Sequence, residues 1–257
     1  IELIYSASID YPNGLEKWKD WKICCESLIQ EIPQKLKLRI KACSIDGTSG
    51  TLIACDFNGN PFGKAIPYHQ IIDNQEENLI RLIVGEKNKD FSSVKRALAL
   101  IDKYGEELIL RHQADWVSSW LTGNWEFGEE SNNLKLGWDI SEKKWPESFY
   151  HQKWFNSLPK LISSGNVIGK IKKDLANLFN LPSNILVIAG TTDSNASVIA
   201  ANPSEEEGVT VLGSTIVLKK FSNEPFYNKG ITNHYLLGKW LCGGSSNTGG
   251  RVLKKFF

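Results

Sequence analysis

Apolar and polar positions recur with two different periods along the chain, and each change of period marks a new element. At the start, "IELIYSASIDYP" alternates as a strand does, and Asn13-Gly14 breaks it. In "LEKWKDWKICCESLIQEI" the positions Trp18, Trp21, Cys25, Leu28 and Ile32 keep three-to-four spacing, which predicts a helix with one buried face ending before Pro33. Its tryptophans read as core. "LKLRIKACSID" and "GTLIACDFNG" are β-rich runs joined by a Gly/Thr/Ser turn, with a second turn at Asn58-Gly59, and predict a strand pair with an exposed tip.

From about Ser92 to Leu121 the spacing is helical again: "SVKRALALIDKYG" and "EELILRHQADWVSSWLTG" predict helices, the second capped by Gly123. A polar, Trp-bearing stretch from Asn124 to Ser157 has no clean period. "NVIGKIKKDLANLFNLP" sets Ile168, Ile171, Leu175 and Leu178 on one helical stripe, stopped by Pro182. "ILVIAG" is apolar at every position, as in a strand buried on both faces at the centre of an α/β sheet. It runs into "TTDSNASVIAA", so small polar residues stand where a strand ends and a helix begins, the place where open α/β sheets bind ligands. "NPSEEEG", Asn202 to Gly208, reads as a linker, "VTVLGSTIVLKKF" as strand, turn, strand, and "LCGGSSNTGG" as a Gly/Ser/Asn loop.

Composition narrows the partners. The 257 residues suffice for a real core, and a net charge of +1 with interspersed Lys and Glu gives no support to nucleic acid or an anionic membrane. Five Cys without CxxC spacing argue against a disulfide scaffold and a zinc site, and four His (His69, His112, His151, His234) lack ligand spacing, most of them reading as ordinary surface or interface residues. No transition-metal site is expected. No apolar run approaches the ~20 residues of a membrane span. A reducing cytoplasm is the expected setting; a plastid would require a transit peptide lost with the start. The chain opens on Ile1 and contains no Met, so a fragment of a longer product is expected.

Three polar turns stand on strand ends: Asp46 to Ser49, Gly190 to Asp193, and Gly213 to Thr215. Their backbone N–H groups and hydroxyls can hold phosphate oxygens, and the same composition serves ordinary chain reversal. Asp193 admits two readings from the residues, a helix cap or a general base taking a proton from a substrate hydroxyl.

The order of the segments carries a resemblance. The Trp-bearing helix after "YPNGLEKW", then "IDGTSGTLIACDFNGNP", "WVSSWLTG", "LPKLISSGNVIGKI", "VIAGTTDSNAS" and "VLGST" together resemble the FGGY family of carbohydrate kinases, from just after the first phosphate hairpin to just past the start of the second domain. The resemblance implies an α/β fold of ribonuclease-H-like (actin/hexokinase-type) domains. Residues 1–203 would form the sugar-binding domain without its first hairpin, and 204–257 the start of the ATP-binding domain. It implies ATP-dependent phosphorylation of a sugar with Mg²⁺, and a piece that is inactive by itself.

The same resemblance assigns residues. Asp193 stands where the family has its catalytic base. Gly213, Ser214 and Thr215 stand at the second phosphate loop, with the family's usual Thr and Ser exchanged, and Gly243, Gly244 and Asn247 support the nucleotide. The stretch Cys43 to Pro61 has the spacing of a first phosphate loop, yet follows the Trp-bearing helix, where the family places its sugar-contacting hairpin. Asp46 and Ser49 would therefore hold sugar hydroxyls with Thr48 nearby, beside Asp193. The Met-His pair of xylulokinases and the Asn-Gln-Arg run of glycerol kinases are absent, and the Trp-x-Asp-x-Arg pattern of many members is replaced by Tyr68, Gln70 and Ile72. The version present resembles the plastid and cyanobacterial D-ribulose kinase group. Xylulokinase, polyol kinase and a non-catalytic sugar-binding member are the alternatives.

Overall fold

The helix expected after Asn13-Gly14 forms as α1 (Trp18–Glu31) in the computed structural model, which describes residues 2–72, 77–84, 91–204, 206–212, 216–246, 248–250 and 252. Its apolar stripe runs through Trp18, Trp21, Cys25 and Ile29 into a core shared with Trp116, Val117, Phe179 and Val187. Trp21 is fully buried, with its indole N–H on the Leu15 carbonyl at 2.9 Å, so its polar atom carries no desolvation cost. Trp116 sits between Trp18 and Trp21, ring centroids 5.6 and 6.0 Å away, and gives its N–H to the Gly59 carbonyl.

A short α2 (Gln34–Lys37) leads to β1 (Ala42–Gly47) and β2 (Leu52–Cys55). Then come α3 (Glu77–Val84), α4 (Ser92–Tyr104), β3 (Ile109–His112), α5 (Gln113–Thr122), β4 (Phe127–Glu129), α6 (Glu130–Asn133) and β5 (Lys160–Ile162). β6 (Val167–Lys170), α7 (Lys173–Leu178), β7 (Leu186–Thr192), α8 (Asp193–Ala201), β8 (Gly208–Leu212), β9 (Ile216–Ser222), β10 (Thr232–Leu236) and β11 (Lys239–Ser246) complete the order.

The sheet that carries Asp46 has the order β1-β7-β6, with β1 parallel and β6 antiparallel to the central β7. The all-apolar run "ILVIAG" therefore lies in the middle strand, as its composition demands. Helix α5 packs on β1 and β7. A second core, containing Leu52, Val94, Leu110, Phe149 and Trp154, lies under α4 and the β2–β3 pair. α8 packs its Val198 with Leu236 and Leu241 of a sheet ordered β10-β11-β9-β8.

Several expectations need correction. Residues 2–10 form no strand and lie exposed, because alternation yields a strand only where another strand accepts its hydrogen bonds. The two β-rich runs around Gly47 to Thr51 do not pair with each other: β1 pairs with β7, β2 with β3, and the turn between them is buried at Gly47, Gly50 and Thr51. "ILRH" is a fully buried strand, not the start of a helix, since a four-residue apolar run carries no period. Val167 to Lys170 is likewise strand, and Leu178 lies exposed, off the buried stripe of Ile171 and Leu175. "LCGG" belongs to β11, where cross-strand pairing with β9 overrides the loop-like composition. Gly123 does cap α5, in the left-handed conformation, with its N–H on the Ser119 carbonyl at 2.7 Å.

One irregularity positions the site. Ile45 pairs with Ala189 and Gly47 with Thr192, so Gly190 and Thr191 of β7 face the single residue Asp46 of β1. Such a bulge bends the strand and re-aims its side chains. Gly190 permits it: a Cβ there would stand 2.1 Å from the Ile45 carbonyl oxygen and 2.6 Å from Asp46 Oδ1. Gly190→Ala is expected to lower stability by about 1–3 kcal/mol through overpacking. Gly208→Ala, whose nearest neighbours are 3.6 and 3.9 Å away, should stay within about 0.5 kcal/mol. Urea unfolding of the two variants checks this.

Candidate functional site

The bulge leaves the Thr191 N–H to Asp46, whose Oδ1 accepts it at 2.8 Å. The Asp46 side chain is otherwise open to solvent. Its carboxyl is raised above the usual range by the protein wall beside it, lowered by the Thr191 N–H, and raised again by the charge of Asp193. The structure thus brings Asp46 and Asp193 into one electrostatic neighbourhood, one carboxylate in β1 and the other at the start of α8, directly after the parallel neighbour β7.

Asp193 is the first residue of α8 and is exposed. The cap position belongs to Thr192, which makes no side-chain cap bond. Asp193 Oδ1 accepts the N–H of Ser194 at 2.6 Å, a local bond that orients the carboxylate. The capping reading is therefore met only in part, and an exposed carboxylate on a rigid strand-to-helix junction suits a proton acceptor.

Thr48 turns away from the opening. Its hydroxyl bonds Thr51 Oγ1 at 2.7 Å and Gln113 Oε1 at 2.9 Å, and its N–H also goes to Gln113 Oε1 at 3.2 Å. Gln113 begins α5 and gives its Nε2 to the Tyr11 hydroxyl at 3.3 Å. Burial, with Cys25, Cys24 and Asp20 adding to it, pushes that phenol up to about 12, so Tyr11 stays protonated. Ser49 follows, half-buried, beside Gly50. The segment after β2 is held by Arg96, which donates to the carbonyls of Pro67 (3.1 Å), Tyr68 and Gln70 (3.2 Å). Tyr68 itself is half exposed.

A second layer lies behind Asp193. Asn195 is completely buried and donates to Thr191 Oγ1 at 3.1 Å and to Nδ1 of His234 at 3.2 Å. Lys219 of β9 reaches Ser194 Oγ at 3.1 Å and Asn195 Oδ1. His234 and His112 are buried and His69 and His151 exposed, so two of the four, not most, lie at the surface. Burial holds His234 down to about 3, with Lys219 and Lys135 adding, and burial holds His112 down to about 3, with Arg96 adding. Both are neutral near pH 7.

Gly213, Ser214, Thr215 and Asn247 lie outside the described residues. Gly243 and Gly244 pair in β11 with Lys219 and Leu218, so they lie in a ladder and not in an open loop. Sequence reasoning missed Gln113, Arg96, Asn195 and Lys219. Gln113 occupies the same kind of strand-to-helix junction as Asp193, a signal hidden when "ILRH" is read as helix. A separate depression of about 990 Å³, lined among others by Trp125, Trp138, Tyr150, Phe155, Lys143 and Lys160, includes none of the residues expected to bind sugar.

This architecture is that of the carbohydrate kinases with an actin/hexokinase-like fold. A crystal structure titled as a xyloylose kinase from Brucella ovis matches 97% of this chain and 56% of its own, with TM-score 0.78 and 17% identity. Plasmodium falciparum glycerol kinase with ADP matches 99% and 57%, with TM-score 0.76 and 19% identity. No family model matches the chain. In sequence, it is 25% identical to the xylulose kinase of Lactococcus lactis over 88% of its length, and 29% identical to that of Haemophilus influenzae over 49%. The likeness to the solved structures is one of fold. The chain spans half the length of the Lactococcus lactis relative.

The α5 end of the site rests on buried acids. Asp115 takes the Glu129 N–H at 2.9 Å and Asn133 Nδ2 at 3.1 Å, while Glu129 takes the N–H groups of Ser131 and Asn132, each at 2.9 Å. Burial pushes Asp115 up to about 6 and Glu129 up to about 8, against those hydrogen bonds. Between pH 6.5 and 7.5 the native state then keeps a proton on Glu129 that the unfolded chain has lost. Glu129's contribution to stability should fall across that window by up to about 1.4 kcal/mol per pH unit, opposed by His112 and His234, which stay neutral in the native state and take up protons on unfolding. Urea midpoints of wild type and Glu129→Gln at the two pH values isolate this contribution: wild type should lose stability relative to the variant as pH rises.

Proposed function

We propose that this chain is the sugar-binding portion of an ATP-dependent pentulose kinase, with D-ribulose as the sugar phosphorylated. The observation that carries the reading is the joint placement of Asp46 and Asp193 across the β1–β7 bulge. Asp46 and Ser49 would accept and donate hydrogen bonds to sugar hydroxyls. Thr48, turned inward, would instead hold the turn that presents them.

Asp193 would take the proton of the attacking hydroxyl as that oxygen bonds to the γ-phosphorus of ATP and the bond to the bridging oxygen of ADP breaks. Phosphoryl transfer asks of the protein chiefly in-line placement and charge neutralisation, so a positioned base and N–H-rich loops suffice. Mg²⁺ would arrive with the nucleotide and offset its charge. Gly213, Ser214 and Thr215 would cradle phosphate oxygens, with Gly243, Gly244 and Asn247 in support. On this reading the first domain runs over residues 1–203 and the second begins at 204.

D-Xylulose is the second reading, favoured by the similarity to xylulose kinases of Lactococcus lactis and Haemophilus influenzae. Coupled ADP release by the complete protein with each pentulose separates the two: turnover on D-xylulose without turnover on D-ribulose would reverse the substrate assignment. Asp193→Ala should lower kcat by at least about 100-fold while sugar affinity by calorimetry changes little, since proton removal belongs to the transition state. Undiminished kcat in that variant would show that another group is the base.

A further inference from the structure

Lys219 is a buried ammonium with no role in the mechanism so far, 7% exposed on a strand of the second sheet. Taking such a charge out of water is expensive unless it is fully engaged. Its partners are the two residues that follow Asp193: Nζ donates to Ser194 Oγ and to Asn195 Oδ1. Asn195 spends both amide hydrogens on Thr191 Oγ1 and His234 Nδ1, which fixes its orientation and leaves its oxygen facing the ammonium. The opposite strand makes room. Gly243 pairs with Lys219, and a Cβ at 243 would stand 2.1 Å from the Leu218 carbonyl oxygen and 2.7 Å from Lys219 Cγ.

We propose that Lys219 is a positioning residue that fastens the first turn of α8 to β9, and so fixes the direction of Asp193 and keeps a positive charge beside it during proton transfer. The inference rests on the reading of Asp193 as general base. The elements around α8 bring few other charges: Asp46 from β1 and His234 from β10, with Lys135 acting on Lys219, while β7 and β8 contain no titratable side chain. Burial lowers Lys219 to about 8, the Asp193 charge opposing and Lys135 adding to the drop, so the ammonium form persists near neutral pH. His234 is neutral, so the cation hydrogen-bonded to Ser194 and Asn195 is Lys219, with the charge of Lys135 also felt there.

The chain makes the link useful. β9 is the strand that follows residues 213–215, and α8 is the helix that carries Asp193, so Lys219 ties the phosphate-side strand to the base-bearing turn. A displacement of either would misalign an in-line transfer.

The test compares Lys219→Met, Lys219→Gln and Lys219→Arg with wild type in the complete protein. Thermal unfolding establishes which variants fold, and hydrogen exchange reads the amides of residues 193–197. The expected result is a kcat for ADP release about 10- to 100-fold lower in the Met and Gln variants with sugar KM within about threefold, and recovery of most of that loss by Arg. Exchange at 193–197 should be about tenfold faster in the Met and Gln variants. If Met fails to fold, Gln and Arg decide the matter. Unchanged kcat, a loss confined to KM, or no recovery by Arg would overturn the inference. A wild-type protein that releases no ADP with any pentulose would count against the kinase reading alone. In that event, unchanged exchange at 193–197 overturns the positioning role and accelerated exchange upholds it.

Discussion

The bond from the Thr191 N–H to Asp46 Oδ1 is the contact on which the site depends. A regular ladder would give each inward-facing N–H a backbone acceptor on the neighbouring strand, but here β7 carries two residues opposite one, and the Asp46 side chain accepts the Thr191 N–H instead. The arrangement needs Gly190 for the close approach and an Asp short enough to reach the amide from the facing strand. It also turns the end of β7 toward the place where α8 begins. Two carboxylates that repel each other are thereby held in one neighbourhood by the backbone.

From that contact the structure extends in two directions. On one side, Gly47 packs against the start of α5, its Cβ direction meeting Ala114 at 3.1 Å, and Gln113 holds Thr48 and Tyr11 in register with the turn. The buried acids Asp115 and Glu129 organise α6 beneath that helix end. On the other side, Asn195 and Lys219 connect α8, which begins at Asp193, to the second sheet. Asp46, Asp193 and β9 thus share one continuous set of hydrogen bonds, running through Thr191, Asn195, Lys219 and Ser194.

Much of this frame was legible in the sequence, and the reasons are physical. β7 announces itself because a strand buried on both faces must be apolar at every position, and Asp193 stands out because a polar group directly follows it. α1 and α4 follow from their periodicity. What stayed hidden depended on pairing. "ILRH" and "VIGK" are too short to show a period, and two adjacent β-rich runs look like a hairpin until their partners are known. The strand pairing of Gly243 and the burial of Lys219, His112 and His234 depend on residues far away in the chain.

The most direct measurement is a crystal structure of the complete protein with D-ribulose. The account predicts the sugar at the carboxyl edge of β1 and β7, with one hydroxyl within hydrogen-bond distance of Asp193 and another within reach of Asp46. A sugar bound away from both carboxylates, for instance in the aromatic depression lined by Trp125 and Trp138, would contradict it.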